Sequence, residues 1–185
     1  TESCNIAAAV PRLAAEAPDR LAMRYPGRDG RYADALTYGQ LDRRSDAIAA
    51  GLARRGIGRG SRTVVMVRPP PELWPLVFAL FKAGAVPVLV DPGIDKRALK
   101  QCLDEAGADA FIGIPLAMFA RSLLGWAKSA RVRITTGRRA LLADATLAQV
   151  EREGAEAGPQ LTDTGADEMA AILFTSGSTG VPKGV

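Results

Sequence analysis

The residues with the most chemistry to offer in this 185-residue chain stand together near its end. Thr175, Ser176, Ser178 and Thr179 supply four hydroxyls. Gly177, Gly180 and Gly184 supply backbone freedom, and Lys183 supplies a positive charge. Glycines let backbone N–H groups close around an anion as a concave nest, and hydroxyls and an ammonium donate to it. A hydrogen bond to a charged group contributes roughly 1.5–3 kcal/mol, so four or five of them would hold a triphosphate. The pattern is not a Walker A loop. Pro182 precedes Lys183, Gly184 follows it, and no hydroxyl stands beside the lysine for Mg²⁺. Nor do Gly177, Gly180 and Gly184 have the G-x-G-x-x-G spacing of a dinucleotide fingerprint.

Such a loop needs a rigid element to aim it. The apolar run at residues 169–174 is short and stops at turn residues, which reads as a buried strand. Three glycines and a proline within eight residues then argue against any strand or helix beyond it. Upstream, strand and helix patterns alternate. Strands are expected at 63–67, 86–90, 110–114 and 132–135, and helices at 72–83, 95–106 and 116–127, with a partial helix near 147–153. This order predicts an α/β fold, a mostly parallel sheet flanked by helices and joined by right-handed crossovers. In such sheets ligands lie beyond the carboxyl ends of the strands, where the loop falls.

Before that sheet the signals are local. Residues 5–17 read as a helix with Asn5 as N-cap and Pro11 as a kink or restart. A strand at 20–25, a turn at 27–30 and a returning strand at 32–36 follow. Thr37 and Gln40 form a capping box opening a helix to about residue 55. It turns Leu41, Ile48 and Leu52 inward and Arg43, Arg44, Asp46 and Arg54 away, and Gly56 ends it. The glycines at 56, 58 and 60 follow a helix and precede a strand. That is the wrong order for a nucleotide fingerprint, so they read as a tight connection. Residues 72–83 are apolar on every side, which predicts a buried helix with its aromatics in the core. From 144 to 168 seven acidic residues face Arg152 alone, and 154–165 reads as an exposed connection.

Composition narrows the function classes. Hydrophobic residues are 48% and charged residues 24% of the chain, ordinary values for one globular domain. The net charge of +4 is spread over arginines in helix faces, and with few aromatics it does not suggest nucleic-acid binding. The chain has no histidine, which excludes a Ser-His-Asp triad, a Cys-His pair and any His-ligated metal within it. Cys4 and Cys102 are far apart and read as reduced core thiols of a cytoplasmic protein. No stretch reaches membrane-spanning length, and no signal-peptide pattern opens the chain. A sequence that stops one residue past a phosphate loop also reads as the first part of a longer protein.

The run Thr-Ser-Gly-Ser-Thr-Gly-Val-Pro-Lys-Gly at 175–184 resembles the phosphate-binding motif of the adenylate-forming superfamily: acyl-CoA synthetases, peptide-synthetase adenylation domains and luciferases. The likeness extends over the whole chain, through Leu36-Thr37-Tyr38-Gly39-Gln40-Leu41, the Gly-Ile-Gly-Arg-Gly-Ser turn at 56–61, and Ala83-Gly84-Ala85-Val86-Pro87. It implies that residues 1–185 are the N-terminal part of the large AMP-binding domain. The rest of that domain and a small mobile C-terminal domain would lie outside this chain. It also implies that Thr175, Ser176, Gly177, Ser178, Thr179, Gly180 and Lys183 contact ATP phosphates. ATP and Mg²⁺ would be the cofactors, and the adenine, ribose and Mg²⁺ contacts would come from elsewhere. No catalytic residue and no metal ligand is assigned within 1–185, and the isolated segment is expected to be inactive.

One departure is informative. Where acyl-CoA synthetases carry Asn-Pro after the strand at 86–90, this chain has Asp91-Pro92-Gly93-Ile94-Asp95-Lys96-Arg97, then Leu99-Lys100-Gln101-Cys102-Leu103. That wording is similar to the β-lactone synthetases of bacterial olefin biosynthesis. The resemblance implies activation of a long-chain 3-hydroxy acid as acyl-AMP, then ring closure by its own 3-hydroxyl. Assembly with other enzymes of that pathway is a further implication. Two alternatives stay open: a long-chain acyl-CoA synthetase, in which CoA thiol displaces AMP, and a non-catalytic nucleotide-binding module.

Overall fold

The computed structural model describes residues 4–26, 32, 34–90, 96–175 and 183–184. Asn5 caps a 3-10 turn, Ile6–Ala8, by accepting from the Ala7 N–H at 2.9 Å, and the chain restarts as α1, Ala9–Glu16. Pro11 sits in the first turn of that restarted helix, where a missing N–H costs nothing. Strands β1, Leu21–Tyr25, and β2, Asp34–Thr37, pair antiparallel and stand apart from the main sheet. The turn expected at 27–30 lies outside the described residues. The capping box forms as expected and starts α2, Tyr38–Ala53: Thr37 Oγ1 accepts from Gln40 N–H, and the Gln40 side chain accepts from Thr37 N–H.

The main sheet takes β3, Arg62–Met66; β4, Val86–Val90; β5, Ala110–Gly113; β6, Val132–Thr135; β7, Ala145–Thr146; β8, Ile172–Thr175; and β9, Lys183–Gly184. Its order is β7-β6-β5-β3-β4-β8-β9, parallel except for β9. Between strands run α3, Trp74–Lys82; α4, Lys96–Glu105; α5, Pro115–Leu124; and α6, Leu147–Gly154. Both faces are covered. Ile48 and Leu52 of α2, Leu76 and Leu80 of α3, and Leu147 and Val150 of α6 pack with Val65, Ile112 and Ile134 on one side. Leu99 and Leu103 of α4 and Met118 of α5 pack with Val64, Val88, Phe111 and Phe174 on the other. Adjacent Val64 and Val65 thus serve opposite layers, which is why the inner strands read as continuous apolar runs.

Four expectations need correction. The helix foreseen over 72–83 begins with a π-helical turn, Pro69–Leu73, in which the ring of each proline disfavours α geometry in the residue before it. It is not buried all round either: Trp74 is 45% exposed, whereas Lys82 is buried. Asp46 does not point away from the protein but bonds to Lys82. Cys4 is exposed, so only Cys102 is a core thiol, and burial pushes that thiol's pKa up.

Helices α2 and α6 touch backbone to backbone. A Cβ on Gly51 would stand 2.1 Å from the Val150 carbonyl oxygen, and one on Gly154 would stand 1.9 Å from that of Ala47. Neither neighbour is a flexible side-chain tip. Gly51→Ala is therefore expected to force the helices apart and cost about 1–3 kcal/mol, as overpacking does. A denaturant midpoint unchanged from wild type would contradict this contact.

Candidate functional site: the end of strand β8

Strand β8 lies beside β4 in parallel register, Val88 with Ile172, Leu89 with Leu173 and Val90 with Phe174. Phe174 is 4% exposed and packs into the layer beneath α4 and α5, which anchors the strand two residues before the serine-rich loop. The chain then returns as β9. Phe174 pairs with Gly184 and Thr175 with Lys183, antiparallel. Glycines and Pro182 thus do not prevent a strand at 183–184, contrary to the expectation, because a two-residue strand at a sheet edge needs few ladder bonds. The two backbone ends of the candidate site, Thr175 and Lys183, are register partners at the sheet's carboxyl edge. Ser176, Gly177, Ser178, Thr179 and Gly180 lie outside the described residues.

What fixes β8 from behind is a segment with no helix or strand of its own. Between α6 and β8 the chain is tied down by polar contacts from distant elements. Gln160 N–H donates to Asp46 Oδ1 at 2.9 Å. Thr162 N–H donates to the Lys82 carbonyl at 2.7 Å. The Asn5 amide donates to the carbonyls of Phe81 and Thr162, at 2.7 and 2.8 Å. Arg59 holds Glu168 through two hydrogen bonds, and the Gly165 N–H donates to the same carboxylate. Arg59 first and then Gly165 pull the Glu168 pKa down to about 2.

The centre of this arrangement is Lys82. Its side chain is 0% exposed, and its Nζ donates to Asp42 Oδ1 and Asp46 Oδ1, both at 2.6 Å, and to the Asp42 carbonyl at 3.1 Å. All three donors of the ammonium are used, which is what keeps a buried cation tolerable. Its position at the end of an apolar helix gave no hint of this, because a lysine there also suits the helix dipole in solvent.

Four of the seven acidic residues at 144–168 are paired with arginines. Asp144 bonds Arg133, Glu151 bonds Arg44, Glu153 bonds Arg55 and Glu168 bonds Arg59. Arg133 holds the Asp144 carboxyl below its ordinary range, and Arg55 does the same for Glu153. These carboxylates tie segments together; they do not face one another as an acid–base couple. Among the described residues no group of three or more His, Cys, Asp and Glu gathers as a metal site. No described helix is long and apolar enough to cross a membrane.

A parallel α/β sheet whose strand β8 leads into a hydroxyl- and glycine-rich sequence at the carboxyl edge places that sequence where open α/β sheets bind ligands. Residues 10–185 match the family model described as AMP-binding enzyme, and the chain belongs to that family. It is 67% identical over its full length to an olefin beta-lactone synthetase of Xanthomonas campestris, and 65% identical over 98% of its length to one of Stenotrophomonas maltophilia. In each case it spans 34% of the relative, about a third. Among solved structures, the apo structure of Mycobacterium smegmatis MbtA covers the whole chain at 28% identity with a TM-score of 0.77, the chain spanning 33% of it. A long-chain-fatty-acid-CoA ligase of Archaeoglobus fulgidus shares the fold at 18% identity and a TM-score of 0.79; the chain is covered fully and spans 36% of it.

Proposed function

We propose that the complete polypeptide carrying this segment activates a long-chain 3-hydroxy acid with ATP and closes it to a β-lactone. The observation that carries this reading is the 67% identity, over the full length of the chain, to an olefin beta-lactone synthetase. In the first step a carboxylate oxygen attacks the α-phosphorus. The bond from that phosphorus to the bridging oxygen breaks, giving acyl-AMP and pyrophosphate. In the second step the substrate's 3-hydroxyl oxygen attacks the acyl carbon and loses its proton, and AMP leaves as the four-membered ring forms.

The obstacle in the first step is an anion approaching an anion. Residues 175–180 and Lys183 are the groups we assign to it. Backbone N–H groups at Gly177 and Gly180, the hydroxyls of Thr175, Ser176, Ser178 and Thr179, and the Lys183 ammonium would hold the β- and γ-phosphates and stabilise the departing charge. Mg²⁺, bound to the nucleotide and to ligands from outside this segment, would add Lewis-acid neutralisation of the same charge. Residues 1–185 on this reading form the N-terminal part of the large AMP-binding domain, acting in the cytoplasm with the remainder of their own polypeptide and with other enzymes of olefin formation.

The test is product mass spectrometry of the complete polypeptide given a 3-hydroxy acid, ATP and CoA. A product one water lighter than the acid, formed with AMP and pyrophosphate and equally well without CoA, is expected. A CoA thioester would replace the lactone reading with an acyl-CoA synthetase.

A further inference from the structure

Helix α5 buries one apolar face and leaves a second one uncovered. Ala117 and Met118 pack into the layer beneath it with Phe111 and Trp126. Leu116, Phe119 and Leu123 lie on the outer side, each more than half exposed. Their spacing of three and four residues puts them on one stripe. The loop after β6 extends this patch. At its start Gly137 stands against Pro115, the first residue of α5; a Cβ on it would lie 2.7 Å from the proline ring. At its end Ala143 packs into the same layer as Met118. Between them Leu141 and Leu142 are exposed. Leu142 has φ +59°, a left-handed conformation that is an outlier for so bulky a residue. Strain of this kind clusters at functional sites, and here it holds a leucine pair out in solvent.

The charge around the patch has one sign. Residues 115–143 include six basic side chains and no acidic one. Two of the six are engaged: Arg121 donates to the carbonyls of Ala127 and Ala130, and Arg133 bonds Asp144. The other four, Lys128, Arg131, Arg138 and Arg139, are exposed and make no ion pair among the described residues. They bracket the helix. Lys128 and Arg131 follow its C-terminal end, and Arg138 and Arg139 lie in the loop that meets its first residue. Leucine and phenylalanine on a helix face, flanked by cations, complement an anionic bilayer: the apolar side chains enter the acyl boundary and the cations sit at headgroup level. A protein partner would need a carboxylate opposite each cation, whereas a headgroup layer offers negative charge at every position. We infer that α5 and the loop at 137–142 dock the complete polypeptide on an anionic lipid surface. The face belongs to the β5–β6 end of the sheet. Strands β3 and β4 stand between it and β8, so docking there leaves the end of β8 uncovered.

The experiment is vesicle flotation of the complete polypeptide, without nucleotide or acid, so its outcome does not depend on the proposed activity. Vesicles are phosphatidylcholine alone, or phosphatidylcholine with about 30% phosphatidylglycerol, each at about 0.1 M and about 0.5 M salt. The wild type should partition onto the anionic vesicles about tenfold or more better than onto the neutral ones, and the higher salt should remove most of that preference. Two double variants locate the contact. Phe119→Ser with Leu123→Ser is expected to lower the partition coefficient by about tenfold or more, through lost apolar burial. Arg138→Gln with Arg139→Gln should lower it by about tenfold and flatten the salt dependence. All four side chains are exposed, so both variants should keep the wild-type melting profile. Failure of the wild type to bind either vesicle would overturn the inference, and is the result expected if the rest of the polypeptide covers this face. Equal binding to neutral and anionic vesicles would also overturn it. So would anionic-vesicle binding that neither variant weakens, since the lipid contact would then lie elsewhere.

Discussion

Lys183→Ala in the complete polypeptide is expected to slow pyrophosphate release by about 10²–10³-fold, the loss seen when one preorganised donor to a developing charge is removed. The physical reason is the charge on the departing pyrophosphate. A lysine ammonium near it contributes more in the transition state, where negative charge accumulates on the leaving group, than in the ground state. Rate and nucleotide affinity should both suffer, the rate more. Lys183→Arg keeps the charge but changes its geometry and should recover part of the activity. The backbone position is already set by pairing of Lys183 with Thr175, so alanine should leave the hairpin and the melting temperature intact. Initial rates across an ATP titration make the measurement. A Lys183→Ala enzyme with an undiminished rate and unaltered dependence on ATP would remove the loop from the mechanism.

The elements were legible where their burial was simple. Strands buried on both faces give unbroken apolar runs, and β4 and β5 fall where those runs are. The α2 start was legible because Thr37 and Gln40 satisfy one another within three residues. What escaped notice depends on partners far away in sequence. Asn5 reads as a helix cap and is one, but its amide also bridges to Thr162, 157 residues on. Lys82 carries no local mark of burial; only the fold brings Asp42 and Asp46 against it. Strands β7 and β9 have two residues each, too few for any periodicity. For the candidate site, the hydroxyls, glycines and lysine pointed to phosphate chemistry, and the strand that leads into them lies beside β4 with its end at the carboxyl edge.

Lys82→Met should be the most destabilising single change among the contacts described. The side chain is fully enclosed, and removing its charge leaves Asp42 and Asp46 close together with no cation between them. Breaking a buried ion cluster in this way costs about 3–5 kcal/mol. The aspartates are 20% and 15% exposed, so water offsets part of the loss and the lower end applies. At about 2–4 °C per kcal/mol for a chain of this size, a melting-temperature drop near 10 °C is expected. Asp46→Asn should cost less, because Asp42 still faces the ammonium and the amide oxygen can still accept from Gln160 N–H. The effect should also be local. Gln160 and Thr162 are held by Asp46 and the Lys82 backbone, and they lead into β8. Hydrogen exchange at those two amides should accelerate in Lys82→Met more than exchange in β3, well below the global melting transition. A uniform loss of protection would mean that the cluster supports overall stability only. Selective loss at 160 and 162 would mean that this buried lysine sets the position of the segment that leads into β8.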